Sequence, residues 1–257
     1  MSDAPESGRL HVRYLGGPTA LLELGGVRLL TDPTFDPPGE YPVGTRSLVK
    51  TIGAALTPEQ VGPVDAVLLS HDQHPDNLDR LGAAYVESAP LTLSTASAAG
   101  RLGGTVQALP SWETYDLGPL RVTAVPARHG PEGSEPLVGE VTGFALSGPG
   151  LPTVYVSGDN AAPEYVEEIA ARLGPFDAAL LFAGAAQTPL VGEAYLTLTS
   201  DQAAAAARTL GARQIVPLHF EGWAHFTENR EELRAAFDRA GLLKEVTLLE
   251  PGESLTM

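Results

Sequence analysis

The sequence predicts an α/β fold in which two β-sheets pack face to face with helices on the outside. Three observations point there. Continuous apolar runs, Asp65–Ser70 and Asp177–Phe182, have the pattern of strands buried on both faces. Capped helical stretches follow such strands, the clearest opening at Thr199-Ser200-Asp201 and closing at Gly211. The order of elements, β-rich then βα, then β-rich and βα again, describes two similar halves, and two one-faced sheets are satisfied by covering each other.

Taken in order, Leu10–Leu15, Thr19–Leu24 and Val27–Thr31 are β-rich runs separated by Gly16-Gly17-Pro18 and Gly25-Gly26, which are hairpin signals. The Pro/Gly-rich stretch Asp32–Gly44 reads as a loop, with irregular backbone to about Pro58; loops this long are usually functional or mobile. Asp65–Ser70 is a strand ending on His71, with a helix from near Asn77 to about Val86. Strands are expected at Thr105–Leu109, Leu120–Val125, Thr142–Leu146 and Thr153–Ser157. Pro163–Leu173 has helical periodicity, Asp177–Phe182 is a strand and Gln202–Leu210 a helix. Ile215–His219 is a strand, Glu228–Arg239 a helix and Glu245–Leu249 a closing strand. No linker cuts the chain, so residues 1–257 read as one domain, and no repeat of a solenoid or propeller is visible.

Composition excludes several classes of function. With no cysteine there is no disulfide, thiolate nucleophile or Cys-held metal, so any metal must be held by imidazole and oxygen. The net charge of −16 argues against nucleic acid and against docking on anionic lipid. The start, MSDAPESGRL, lacks the features of an export signal and the apolar runs are too short to span a bilayer, so a cytoplasmic protein acting on a small molecule is expected, with a homo-oligomer equally compatible.

The histidines carry the chemistry. His71 and His74 follow a buried strand directly, His129 follows RVTAVPAR, Asp159 follows TVYVS and His219 ends QIVPL. Five candidate ligands thus sit at the C-terminal ends of four strands, the edge where layered α/β folds bind ligands. His71, His74 and His129 suit one ion, Asp159 a bridge, and Asp76 and His219 a second ion, an arrangement that makes hydroxide from bound water near neutral pH. Asp76 and Asp159 are therefore the candidate catalytic carboxylates, with Asp76 also placed to orient the nucleophile or take its proton. Asp32 is either an acceptor orienting a ligand histidine or a turn former before Pro33. His225, Arg128 and Trp223 are candidate substrate contacts, each with a structural alternative: a helix-capping imidazole, a carboxylate partner, a packing ring; Tyr41 is read like Trp223. His11 reads as structural. No nucleophile elbow, phosphate loop or dinucleotide fingerprint occurs.

The segment His71-Asp72-Gln73-His74-Pro75-Asp76-Asn77, with His129, Asp159 and His219 behind it, resembles the metallo-β-lactamase superfamily, whose leading motif is His-x-His-x-Asp-His. The opening Tyr14-Leu15-Gly16, Leu22-Glu23 and Thr31-Asp32-Pro33 is similar to the branch with ascorbate-phosphate lactonases and N-acyl-phosphatidylethanolamine phospholipases. The resemblance implies an αββα sandwich of two mixed sheets flanked by helices, and zinc, one or two ions, with manganese as runner-up. It also favours an orienting role for Asp32. Three departures stand out: Asn77 replaces the second-site histidine, Gly17 replaces a histidine near the site, and the first two histidines are one residue further apart. Without a gap, Gln73 would take the second ligand position; the gapped reading keeps both His74 and Asp76. The expected function is hydrolysis of a lactone, ester, amide or phosphodiester by a metal-bound hydroxide. The alternatives are a metal-binding sensor or scaffold with a degenerate second site, and a di-iron oxidoreductase of the same superfamily.

Overall fold

The computed structural model describes residues 8–44 and 46–257, and these build four layers, helix–sheet–sheet–helix. The first residues of the polar start, in which no export signal is expected, lie outside the described residues. In the first sheet β1 (His11–Gly16), β2 (Thr19–Leu24) and β3 (Val27–Thr31) run antiparallel through tight glycine turns. The hairpin β4 (Gly39–Val43) and β5 (Arg46–Lys50) stands apart from both sheets. From β3 the first sheet continues in parallel through β6 (Ala66–Leu68), β7 (Thr92–Ser94) and β8 (Val106–Ala108). The second sheet holds β9 (Thr114–Leu117), β10 (Leu120–Pro126), β11 (Thr142–Ser147) and β12 (Val154–Val156) antiparallel, then β13 (Ala178–Phe182) and β14 (Gln214–Leu218) parallel. Both sheets are mixed, as expected. No helix among the described residues is long and apolar enough to cross a membrane.

Strand periodicity decides which side chain faces which layer. Leu22, Leu29 and Leu68 point between the sheets, where they join Val122, Phe144 and Leu180 in one apolar core. Their neighbours Leu21, Leu30, Val67 and Leu69 point outward, against α1 (Pro58–Val61) and α2 (Arg80–Ser88). On the other side Tyr155, Ala179 and Leu181 pack against α5 (Pro163–Leu173), α6 (Ser200–Leu210) and α7 (Arg230–Arg239). In chain order the short α3 (Ala96–Leu102) and α4 (Glu135–Val138) come between these two sets of helices. Helix α6 opens on a capping box of Thr199 and Gln202, closes at left-handed Gly211, and buries Ala203, Ala204, Ala206, Ala207 and Leu210.

Three expectations are corrected. The stretch read as loop contains the β4–β5 hairpin, which is largely exposed and so carries no apolar alternation. It is tied down at its base, where Thr51 N–H donates to Gly222 O (2.8 Å) and Ala224 N–H to Val49 O (2.9 Å). Helix α2 starts at Arg80 rather than near Asn77, because Asp79 caps it by accepting from Gly82 N–H. The closing strand is β15 (Ser254–Thr256), which pairs with β1; residues 245–249 make only a bridge between Ile215 and Val246.

Candidate metal centre

Four strand ends deliver the site. Past β6 the chain carries Ser70 and His71, then turns at Pro75, with Asn77 and Leu78 N–H both donating to His74 O. Past β10 comes His129, and past β12 the turn at Gly158 presents Asp159. Gly158 has φ +56°, and a Cβ there would stand 2.5 Å from Thr142 O, so the turn requires glycine. Immediately after β14, His219 has φ +55°, and Asp32, opposite, has φ +26°. Non-glycine residues held in this region cluster at working sites. Gly17 O accepts His219 N–H at 2.7 Å, so the residue that departs from the resemblance instead anchors a candidate ligand.

The side chains converge in two groups, His71 with His74 and His129, and Asp76 with Asp159 and His219, the donor atoms of each lying within 4.8 Å of one another. His71 Nε2 is 3.0 Å from His74 Nδ1. His219 Nδ1 is 2.9 Å from Asp159 Oδ1, and its Nε2 is 3.3 Å from Asp76 Oδ2. Donors around one tetrahedral ion with bonds of ~2.0–2.1 Å stand about 3.3 Å apart, a spacing that His71 Nε2 with His74 Nδ1 and His219 Nε2 with Asp76 Oδ2 approach. His129 Nε2 and Asp76 Oδ1 are buried with no hydrogen-bond partner. Buried polar atoms without partners are costly, and a cation satisfies these. The residues present fit a metal.

Around the donors lies a bracing network. Asp32 accepts from Ser70 N–H (2.6 Å) and Ser70 Oγ–H (2.7 Å), and Ser70 Oγ meets His71 Nδ1 at 3.0 Å. Asp32 thus orients His71 through Ser70. Asn77 Nδ2 donates to Asp159 Oδ1 (3.2 Å) and Asp32 Oδ2 (3.4 Å). His129 Nδ1 meets Leu196 O at 2.9 Å, which turns Nε2 toward the group.

The two groups are electrostatically unlike. Burial holds His71 far below the ordinary imidazole range and pushes His74 down to about 4, so both are neutral donors. Burial also works against charge on His219, but Asp159 and Asp76 outweigh it and raise its imidazole to about 10. Burial opposes charge on the carboxyls too. His225 and His219 nevertheless hold Asp76 below its usual range, and His219, His129 and His71 do so for Asp159. Asp32 is pushed up to about 7 by burial, with the Asp159 charge adding to it and the bonds from Ser70 and Asn77 opposing it.

The groups open into a cavity of about 260 Å³, lined by His74, Asp76, His129 and His225 and walled by Val43, Leu48, Val138, Leu190 and Leu196. Arg46 stands at the same cavity, its guanidinium donating to Thr188 Oγ1. Of the remaining expected residues, His225 lies at the site, its Nε2 3.0 Å from Asp76 Oδ2. Gln73 does not join the converging side chains; it packs over Gly139, whereas His74 lies with His71 and His129. Arg128 is not a cavity residue: it pairs with Glu164 at 2.6 Å and lies over Tyr165. Trp223 is buried beneath the hairpin, edge-on to Tyr41 with ring centres 5.8 Å apart, so both rings pack rather than line the cavity. His11 contacts Thr256 on the far strand pair. Sequence reasoning missed Arg46, Thr188 and the Ser70 relay, none of which has a motif.

The Beta-lactamase superfamily domain matches residues 27–220, most of the chain and all six converging donors. A UPF0173 metal-dependent hydrolase from Pyrococcus horikoshii is 26% identical over 251 residues, covering 96% of this chain and 99% of that protein. Among solved structures, an isothiocyanate hydrolase from Delia radicum gut bacteria superposes with a TM-score of 0.82 at 20% identity, covering 95% of this chain and 98% of that one. The metallo hydrolase Igni18 from Ignicoccus hospitalis gives 0.71 at 21% identity, covering 97% and 98%. The chain belongs to the metallo-β-lactamase superfamily and is a metal-dependent hydrolase.

Proposed function

We propose that the chain hydrolyses a carbonyl-type bond, a lactone or ester, of a small and largely apolar molecule at a two-ion centre. His71, His74 and His129 would hold one ion, Asp76 and His219 the other, with Asp159 between them. The observation that carries the reading is that two donor groups with unpartnered buried atoms open into one apolar-walled cavity. Imidazole-rich ligation favours zinc, with manganese next for the carboxylate-bearing group. Bound ions supply an acidified water and polarise the scissile oxygen.

The chain's own residues do the rest. Asp159 Oδ1 lies 2.9 Å from His219 Nδ1 and its Oδ2 3.8 Å from His129 Nδ1, so its carboxylate stands between a histidine of each group. Asp76 Oδ1, buried and uncommitted, is the oxygen placed to take a proton from the attacking water. Val43, Leu48, Val138 and Leu196 exclude water from the reacting bond. Among the described lining residues Arg46 is the one permanent cation, and most of the cavity wall is apolar. That favours a neutral carbonyl over a phosphodiester, whose charge would need more donors.

The test is metal content with turnover. Wild type should hold zinc after mild dialysis and His71→Ala should hold less. A panel of aryl and alkyl lactones, esters, an isothiocyanate and a phosphodiester should show carbonyl turnover, lost in folded His129→Ala. A wild type that binds no metal even on reconstitution would overturn the reading.

A further inference from the structure

The second donor group looks one imidazole short. A closed tetrahedral site takes four protein donors, and Asp76, Asp159 and His219 supply three. Asn77, buried next to them, has its amide NH₂ locked between the carboxylates of Asp159 and Asp32 and works as a brace. We propose that His225 is the fourth ligand of this second ion, recruited from the loop after β14. The inference rests on the two-ion reading above and adds a ligand to it.

The geometry supports this in three ways. His225 Nε2 lies 3.0 Å from Asp76 Oδ2, the same oxygen that stands 3.3 Å from His219 Nε2, so two imidazoles each present a nitrogen to one carboxylate oxygen at ligand spacing. The ring has no competing bond, since Nδ1 is buried without a hydrogen-bond partner. Its orientation is set by packing, with Phe226 at 4.6 Å and Trp223 at 6.2 Å between ring centres. The loop is pinned through Ala224 N–H to Val49 O and Gln187 N–H to His225 O.

A purely outer role, in which His225 only holds Asp76 by a hydrogen bond, makes a different prediction. Losing such a partner weakens a metal by roughly 10–100-fold. The experiment is zinc competition against a chromophoric chelator for wild type, His225→Ala and His225→Gln, with cobalt absorption spectra and near-UV circular dichroism to confirm folding. Glutamine keeps a donor toward Asp76 but is a poor ligand. The expected result is that both variants lose the weaker ion by more than about 100-fold and the cobalt band belonging to it, while the tighter ion is unchanged. Tight retention in His225→Gln, or losses within the outer-partner range, would overturn the inference. A wild type holding a single ion would overturn it alone, whereas one holding none would overturn the proposed function.

Discussion

His219 Nδ1 lies 2.9 Å from Asp159 Oδ1, with both side chains buried. In the metal-free protein this imidazole, raised to about 10, is charged at neutral pH, and a ligand imidazole must be neutral. Capture of an ion there expels a proton, so affinity falls about tenfold for each unit of pH below 10. His74, held at about 4, has no proton to lose at pH 7. Lowering the pH from about 8 to about 6 should weaken the second ion by about a hundredfold and the first, whose His71 and His74 are already neutral, by much less. Chelator competition across that range checks this; parallel weakening of both ions would contradict it.

The same shift governs the stability of the metal-free fold. His219 is raised above its unfolded value, so its contribution is full below ~6.5 and is lost as pH rises through about 10. Asp76 and Asp159 are lowered, so theirs is present above ~3.8 and fades as pH falls below it. Thermal melts of chelator-treated protein should decline from neutral pH toward pH 10.

Asp32→Asn should leave the fold intact yet weaken the first ion by about 10–100-fold, because it removes the carboxylate that positions His71 through Ser70. Zinc titration of the variant, with Asp32→Ala beside it, measures this. An unchanged affinity would reduce Asp32 to a turn former.

Lys50 Nζ is 3.1 Å from Asp79 Oδ2, and both side chains are nearly inaccessible. Lys50→Met leaves Asp79 a buried charge without its cation, at a cost of about 3–5 kcal/mol. Urea unfolding should show that loss. Because Lys50 ends the hairpin that lines the cavity, KM should rise as well.

Gly82→Ala sets two effects against each other. Helix propensity favours alanine by about 1 kcal/mol. A Cβ on Gly82, however, would stand 1.8 Å from Pro33 O, and backbone cannot give way as a flexible side chain does. The clash should win, lowering the melting temperature and loosening the Thr31–Thr34 turn that carries Asp32.

The centre was readable because its donors follow strands whose apolar runs are unmistakable, as with Asp65–Ser70 before His71 and Ile215–Leu218 before His219. Despite the extra residue between them, His71 and His74 come together with His129, and Asp76 meets Asp159 and His219. What stayed illegible has no periodic signature. The β4–β5 hairpin is exposed on both faces, β15 is three residues long, and Arg46 meets Thr188 across 142 residues of chain. Arg128 reads as a site residue only because it precedes His129; both lie past the end of β10, and the Arg128 side chain goes to Glu164 instead.

Each donor group spans both sheets. His71, His74 and Asp76 come from the first, and His129, Asp159 and His219 from the second. Neither group exists until the sheets have met, so an ion cannot template the collapse that creates its own site. An ion held there would rivet the two halves at one edge of the sandwich, so its loss would loosen the whole interface.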